Sequence, residues 1–145
     1  MATARVSRTL PATSAAVWQL AADPRSLPRW WPRVVRVERV AGREFTQVMR
    51  TPRGREIRAD FRVTDQEQGR RRVWAQQIAG TPFEKYFASV ICELRVQPNG
   101  DDASVTLELR QRMRGISRFG GFLVRRAARQ TLREALGALE RELSG

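Results

Sequence analysis

The stretch SRFGGFLVRRAARQTLREALGALERELS, residues 117–144, decides the fold. Its apolar residues recur at steps of three and four, which places them on one side of a helix. They are Val124, Ala128, Leu132, Ala135, Leu136, Leu139 and Leu143. An apolar stripe of this kind must be buried against another element, and the natural partner is a sheet built by the preceding residues. The stretch therefore predicts a long C-terminal helix laid across a sheet.

The residues before this helix show the two-residue period of strands. Ile57, Ala59, Phe61 and Val63, for example, alternate with charged residues. Clean alternation indicates one buried and one wet face, as in an antiparallel sheet. The pattern predicts seven strands, at residues 4–10, 34–40, 45–49, 57–63, 71–78, 88–96 and 105–113.

Two short helical segments are predicted between the first and second strands. Thr13 or Ser14 can cap the first helix, and Asp23-Pro24 ends it because the residue before a proline avoids helical geometry. Residues 24–29 form a second short helix or a turn. The predicted fold class is α+β, with a curved seven-stranded antiparallel sheet wrapped around the long helix.

Length and composition limit the class of protein. At 145 residues the chain is expected to form one domain, 1–145. No apolar run reaches the ~20 residues of a membrane span, and the first residues, MATARVSRTL, lack the apolar region of a signal peptide. Cys92 is the only cysteine, so no intrachain disulfide can form. These features favour a cytoplasmic location.

Several short motifs follow one another along these predicted elements. They are Leu10-Pro11-Ala12, Val17-Trp18, Ala22-Asp23-Pro24, Leu27 with Trp30-Trp31-Pro32, Val34 and Val37, Gly80-Thr81-Pro82-Phe83-Glu84, Leu94 with Pro98-Asn99-Gly100, and Arg114-Gly115. Together, in this order, they resemble the START-like or SRPBCC superfamily of helix-grip proteins, which includes polyketide cyclases and aromatases as well as birch-pollen-allergen-like carriers. The resemblance covers nearly the whole chain, but it does not single out one activity, since the fold hosts carriers, cyclases, hydrolases and ligand sensors.

The resemblance implies a cavity between the concave sheet face and the long helix. Apolar and aromatic walls with few polar groups suit a planar, largely hydrophobic small molecule. Most of the predicted inward positions are small or aliphatic, so the larger and the polar ones are the candidate ligand-binding residues. They are Trp30, Phe61, Trp74, Gln76, Gln111, Met113, Phe119 and Phe122, and the resemblance adds Phe83, in a turn near the entrance of the pocket.

Three placements stay open at the level of sequence. Trp74 and Gln76 share one face of their strand while Val73, Ala75 and Gln77 share the other, and the pattern does not show which face is inward. Arg8 and Arg125 could each reach into the cavity and bind an acidic ligand group. We expect instead that a bulge turns Arg8 outward and that Arg125 extends to solvent.

The sequence offers few candidate catalytic residues. The chain has no histidine, so the usual general base near neutral pH is absent, and we expect no metal and no cofactor. A general acid or base would be a carboxylate, Tyr86 or Lys85. Asp60, Glu93 and Glu108 fall on outward phases, where we expect solvated surface charges.

Three functions remain in competition. The first is noncatalytic binding of a hydrophobic, aromatic or polycyclic molecule, as a carrier or sensor. The second is a cyclase-like enzyme that uses the same cavity. The third is binding of nucleic acid or another acidic surface, because the net charge is +12 and several arginines share outward strand phases. The outward phases carry almost no aromatic residues for base stacking, which argues against nucleic acid as a partner.

Overall fold

Seven antiparallel strands form a sheet in the order β1-β7-β6-β5-β4-β3-β2 in the computed structural model of the chain. The structure describes residues 1–115 and 118–145, with only the backbone of Arg118 and Phe119. The strands are β1 Ala2–Leu10, β2 Val34–Ala41, β3 Glu44–Arg50, β4 Glu56–Glu67, β5 Arg71–Gln76, β6 Phe87–Asn99 and β7 Asp102–Met113. The helices are α1 Ser14–Ala21, α2 Leu27–Trp30 and α3 Arg118–Ser144. The predicted helix-grip architecture is confirmed.

Local sequence signals set the ends of these elements. The Thr13 hydroxyl accepts a hydrogen bond from the backbone N–H of Ala16 at 3.2 Å and so caps α1. A 3-10 turn, Pro24–Ser26, joins α1 to α2. At the tight turn between β6 and β7, Gly100 has a φ of 63°, which glycine adopts without steric cost. The strand predicted over residues 71–78 ends earlier, at Gln76.

The apolar stripe of α3 forms the centre of the core. Leu132, Ala135, Leu136 and Leu139 have no exposed surface. The helix packs mainly against β1, β7 and α2. It therefore lies over the β1 and β7 side of the concave face, and β3, β4 and β5 form the other side.

The Gly120-Gly121 pair lies inside α3, because the helix begins at Arg118. A side-chain carbon added at Gly121 would meet no atom within 4 Å. A side chain at position 121 would therefore meet no steric obstacle.

Candidate functional site

Cross-strand pairing decides which face of β5 is inward. Trp74 lies opposite Cys92 on β6, and Cys92 lies opposite Leu109 on β7. Leu109 in turn lies opposite Ala4 on β1, the strand against which α3 packs. Directly opposed residues share a face of the sheet. Trp74, and with it Gln76 two residues later, therefore face the interior.

These two side chains bring unpartnered donors into the interior. Trp74 Nε1 and Gln76 Nε2 are buried, and neither has a hydrogen-bond partner among the described residues. A buried polar group without a partner costs roughly 1–3 kcal/mol. Most buried donors in native proteins are paired, so two adjacent exceptions on the face that the fold turns inward mark a candidate binding site.

Two further aromatic residues lie next to Gln76 on the inward face. Phe61 lies opposite Gln76 across β4 and β5. Its ring stacks on Phe45 of β3, with centroids 5.6 Å apart and planes 11° from parallel. Gln47, also on β3, is only 3% exposed and shares the inward face of Phe45. The sequence prediction missed Phe45 and Gln47. Both alternate in phase with Met49, and the same kind of alternation with apolar neighbours is what indicated Gln111.

Three other candidates lie on β7 and in the turn before β6. Gln111 and Met113 are half-buried on β7, where Gln111 lies opposite Val90 and Met113 lies opposite Phe87. Phe83 is half-buried in the 3-10 turn Pro82–Lys85 and packs against the core. The structure thus brings Phe61, Trp74 and Gln76 together. Gln111, Met113 and Phe83 lie on neighbouring elements.

Two candidates lie away from this cluster, and a third cannot be placed. Trp30 is buried in α2, where its indole N–H donates to Ser26 Oγ at 2.9 Å, so its polar atom already has a partner. Phe122 is 53% exposed and does not belong to the buried stripe of α3, which corrects the prediction that it lines the cavity. The side chain of Phe119 lies outside the described residues.

The two arginines left open by the sequence have different positions. Arg8 is not turned outward: it is half-buried and donates to Glu140 of α3 at 3.1 Å. Its guanidinium is therefore held by the helix. Arg125 is half-buried and makes no salt bridge among the described residues.

The convex face of the sheet corrects another expectation. Glu93 and Glu108 do point outward, but they are only 3% and 6% exposed. They lie directly opposite each other on β6 and β7. Arginines from neighbouring strands cover and bind them: Arg71, Arg95 and Arg110 contact Glu93, and Arg5 and Arg110 contact Glu108. Burial raises the pKa of Glu93, but the hydrogen bonds from Arg95 and Arg71 outweigh it, and the net pKa is lowered.

The inward positions of the described strands carry no carboxylate. Cys92 lies there, but burial raises the pKa of its thiol to about 12, so the thiol is protonated at neutral pH and a poor nucleophile. Tyr86 is 63% exposed, and Lys85 is also exposed. Within the described part of the chain, no three His, Cys, Asp or Glu side chains are grouped so that they could hold a metal ion. The unpartnered polar atoms that face the interior from the described strands are therefore hydrogen-bond donors, Trp74 Nε1 and Gln76 Nε2.

A family model matches residues 1–144, and its description is polyketide cyclase / dehydrase and lipid transport. The chain belongs to this family. No curated protein matches the sequence significantly. Across residues 1–115 and 118–145, none of the helices has the length and hydropathy needed to cross a bilayer.

Several solved structures share the fold of this chain. A START superfamily protein from Mycobacterium smegmatis is 15% identical with a TM-score of 0.80, over 98% of this chain and 97% of its own. XoxI from Bacillus cereus is 18% identical with a TM-score of 0.77, over 99% and 96%. The di-domain ARO/CYC BexL from the BE-7585A biosynthetic pathway is 24% identical with a TM-score of 0.79, over 97% of this chain and 46% of BexL. At these identities the likeness shows the fold.

Proposed function

We propose that the protein binds a hydrophobic, aromatic or polycyclic small molecule between the concave sheet face and α3, as a carrier or sensor. Residues 1–145 act in this proposal as one ligand-binding domain, in the cytoplasm. The observation that carries it is the pair of unpartnered donors, Trp74 Nε1 and Gln76 Nε2, among aromatic side chains. Family membership is consistent with this type of ligand.

The donors narrow the chemistry of the ligand. Since both orphan atoms donate, the ligand would present an acceptor oxygen, such as a carbonyl or a phenolate. The planar part of the ligand would lie against Phe61 and Phe45, whose rings are already stacked. Gln111, Met113 and Phe83 would complete the wall of the site.

One substitution separates binding from stability. Gln76→Leu removes a buried donor without a partner, so the ligand-free variant should be more stable than the parent by about 1–3 kcal/mol. The same variant should bind an oxygenated planar aromatic such as anthraquinone more weakly, by roughly 2–10-fold, because one hydrogen bond is lost. Anthracene, which has no oxygen, should bind the variant and the parent equally.

The matched control is Gln77→Leu, the same change at the next residue, where the side chain is exposed. It should alter neither stability nor affinity. Affinities can be measured by tryptophan fluorescence and by the ligand-induced rise in melting temperature. If no aromatic ligand shifts either signal, or if both leucine variants lose the same affinity, the proposal is wrong.

Cyclase-like catalysis is the second candidate. The same two donors could stabilise the oxygen of an enolate, as in an oxyanion hole, and the ARO/CYC protein BexL shares the fold. No general base faces the interior from the described strands, so the enzyme would act by shaping a reactive chain. Incubation with a poly-β-keto thioester separates the candidates: cyclised product that Gln76→Leu fails to make supports catalysis, and binding without product supports a carrier.

A further inference from the structure

The positive charge of this protein is unevenly balanced by carboxylates. On the convex sheet face, Glu93 is bound by three arginines, and Glu38 of β2 is bound by Arg36 and Arg58. These arginines outnumber the two carboxylates, but each of them is held in a salt bridge within the fold. Guanidinium groups that are already paired are less free to contact an acidic polymer, which was the third sequence hypothesis.

The first half of α3 is the opposite case. Residues 118–133 contain five arginines and no acidic residue. Arg126, Arg129 and Arg133 are exposed and follow one another at steps of three and four, so they form a row along the outer side of the helix. None of the three makes a salt bridge within the described residues. The row is a strip of uncompensated positive charge.

Exposed apolar side chains begin this strip. Phe122 is 53% exposed and Leu123 is 50% exposed, one helical turn before Arg126. Together with Arg125, Ala127 and Gln130, these apolar residues and the arginine row border one depression on the helix surface. We call this surface, Phe122 to Arg133 on the outer side of α3, the α3 outer face.

The exposed arginines and the adjacent exposed apolar side chains together indicate which kind of partner fits the α3 outer face. A nucleic acid would pair with the arginines but would leave Leu123 in water. A second copy of the chain, docked face to face, would bring two arginine rows against each other and repel. An anionic lipid surface satisfies both features, because headgroup phosphates pair with guanidinium groups while the apolar side chains enter the acyl boundary.

We propose that the α3 outer face docks the protein on anionic lipid surfaces. Phe122 and Leu123 insert at the level of the acyl chain boundary, and Arg126, Arg129 and Arg133 contact phosphates. The docking does not depend on the function proposed for the interior, since none of these five side chains belongs to the buried stripe of α3.

The test is sedimentation of the full chain with vesicles of phosphatidylcholine, pure or with about one quarter phosphatidylglycerol. We expect binding to the anionic vesicles and none to the neutral ones. Arg126→Gln with Arg129→Gln should weaken binding by roughly tenfold or more, and Phe122→Ser with Leu123→Ser should weaken it by a similar factor. The matched control is Arg53→Gln with Arg55→Gln, since both arginines are exposed on the turn between β3 and β4; it should change binding less than twofold.

Each alternative gives a distinct result that overturns the proposal. If the serine variant binds like the parent, the attraction is only electrostatic, as expected for a nucleic acid or an acidic protein. If the Arg53 and Arg55 variant loses as much binding as the α3 variants, net charge and not this surface is responsible. If the parent does not bind anionic vesicles at all, the α3 outer face has another role.

Discussion

Leu132 offers the sharpest test of how α3 packs, because the same helix carries its own control. The Leu132 side chain has no exposed surface, whereas Leu123 is 50% exposed on the outer side of the same helix. Replacing a fully buried leucine by alanine costs about 2–5 kcal/mol, through lost apolar burial and the cavity left behind. Leu123→Ala removes the same atoms from a half-exposed position and should cost no more than about 0.5 kcal/mol.

The expected difference is easy to measure. A chain of this length gains about 0.3 kcal/mol/K of entropy on unfolding near its midpoint. Leu132→Ala should therefore lower the melting temperature by roughly 10 °C, and Leu123→Ala by less than about 2 °C. Circular dichroism melts at 222 nm would follow the helix directly.

The outcome can refute the packing in two ways. Equal melting temperatures for the two alanine variants would mean that the stripe does not face the sheet. A large loss in Leu123→Ala alone would mean that the helix is rotated. Leu132→Asp, which buries a charge at the same place, should leave the domain unfolded.

Two further predictions concern titratable groups. The pKa of Glu93 is lower in the folded state, so its ionised carboxylate stabilises the fold at pH values above the ordinary glutamate pKa. This stabilisation is lost as the pH falls through the folded-state pKa. The difference in unfolding free energy between the parent and Glu93→Gln should therefore narrow below about pH 5. Glu44→Gln, at an exposed residue, should show no such gap, and a gap that stays constant with pH would contradict the assignment. The Cys92 thiol, with its pKa raised to about 12, should not react with Ellman's reagent at about pH 8 until the protein is unfolded, so full reaction of the native protein would show that it is accessible.

Regular patterns in the sequence predicted most of the fold. The alternation around Phe61 and the three-and-four spacing around Leu132 each report a local periodicity that survives in the structure. Turn signals such as Asn99-Gly100 act through backbone geometry and are equally local. Strand ends were less predictable: β5 ends at Gln76, opposite Phe61, although the apolar residue Ile78 follows in the sequence.

The candidate site was harder to predict because it depends on cross-strand register. β5 has apolar residues on both phases, so only its pairing with Cys92 shows that Trp74 and Gln76 face inward. Phe122 looked like a wall of the cavity by its place near the start of the helix, but it lies outside the three-and-four spacing of the stripe and is exposed.

The burial of Glu93 and Glu108 on the convex face was not predictable from the sequence either. The strand phase correctly predicted that Glu93 and Glu108 point outward. It did not show that long arginine side chains from β1, β5 and β7 cover them, because this depends on the order and register of the strands, and β1 is far from β7 in sequence. An outward phase is therefore not the same as an exposed side chain where neighbouring strands carry arginine.

The position of β1 next to β7 has a consequence for biosynthesis. β1 pairs along its whole length with β7, from Ala2 opposite Gln111 to Leu10 opposite Ala103. The ribosome must therefore add residues 11–102 before the earliest strand meets its neighbour, which takes on the order of 10 s at about 5–20 residues per second. During that time the backbone donors and acceptors of β1 are open to other nascent chains. The polar residues Arg5, Ser7 and Thr9, which alternate along β1, would limit aggregation until β7 and α3 have been synthesised.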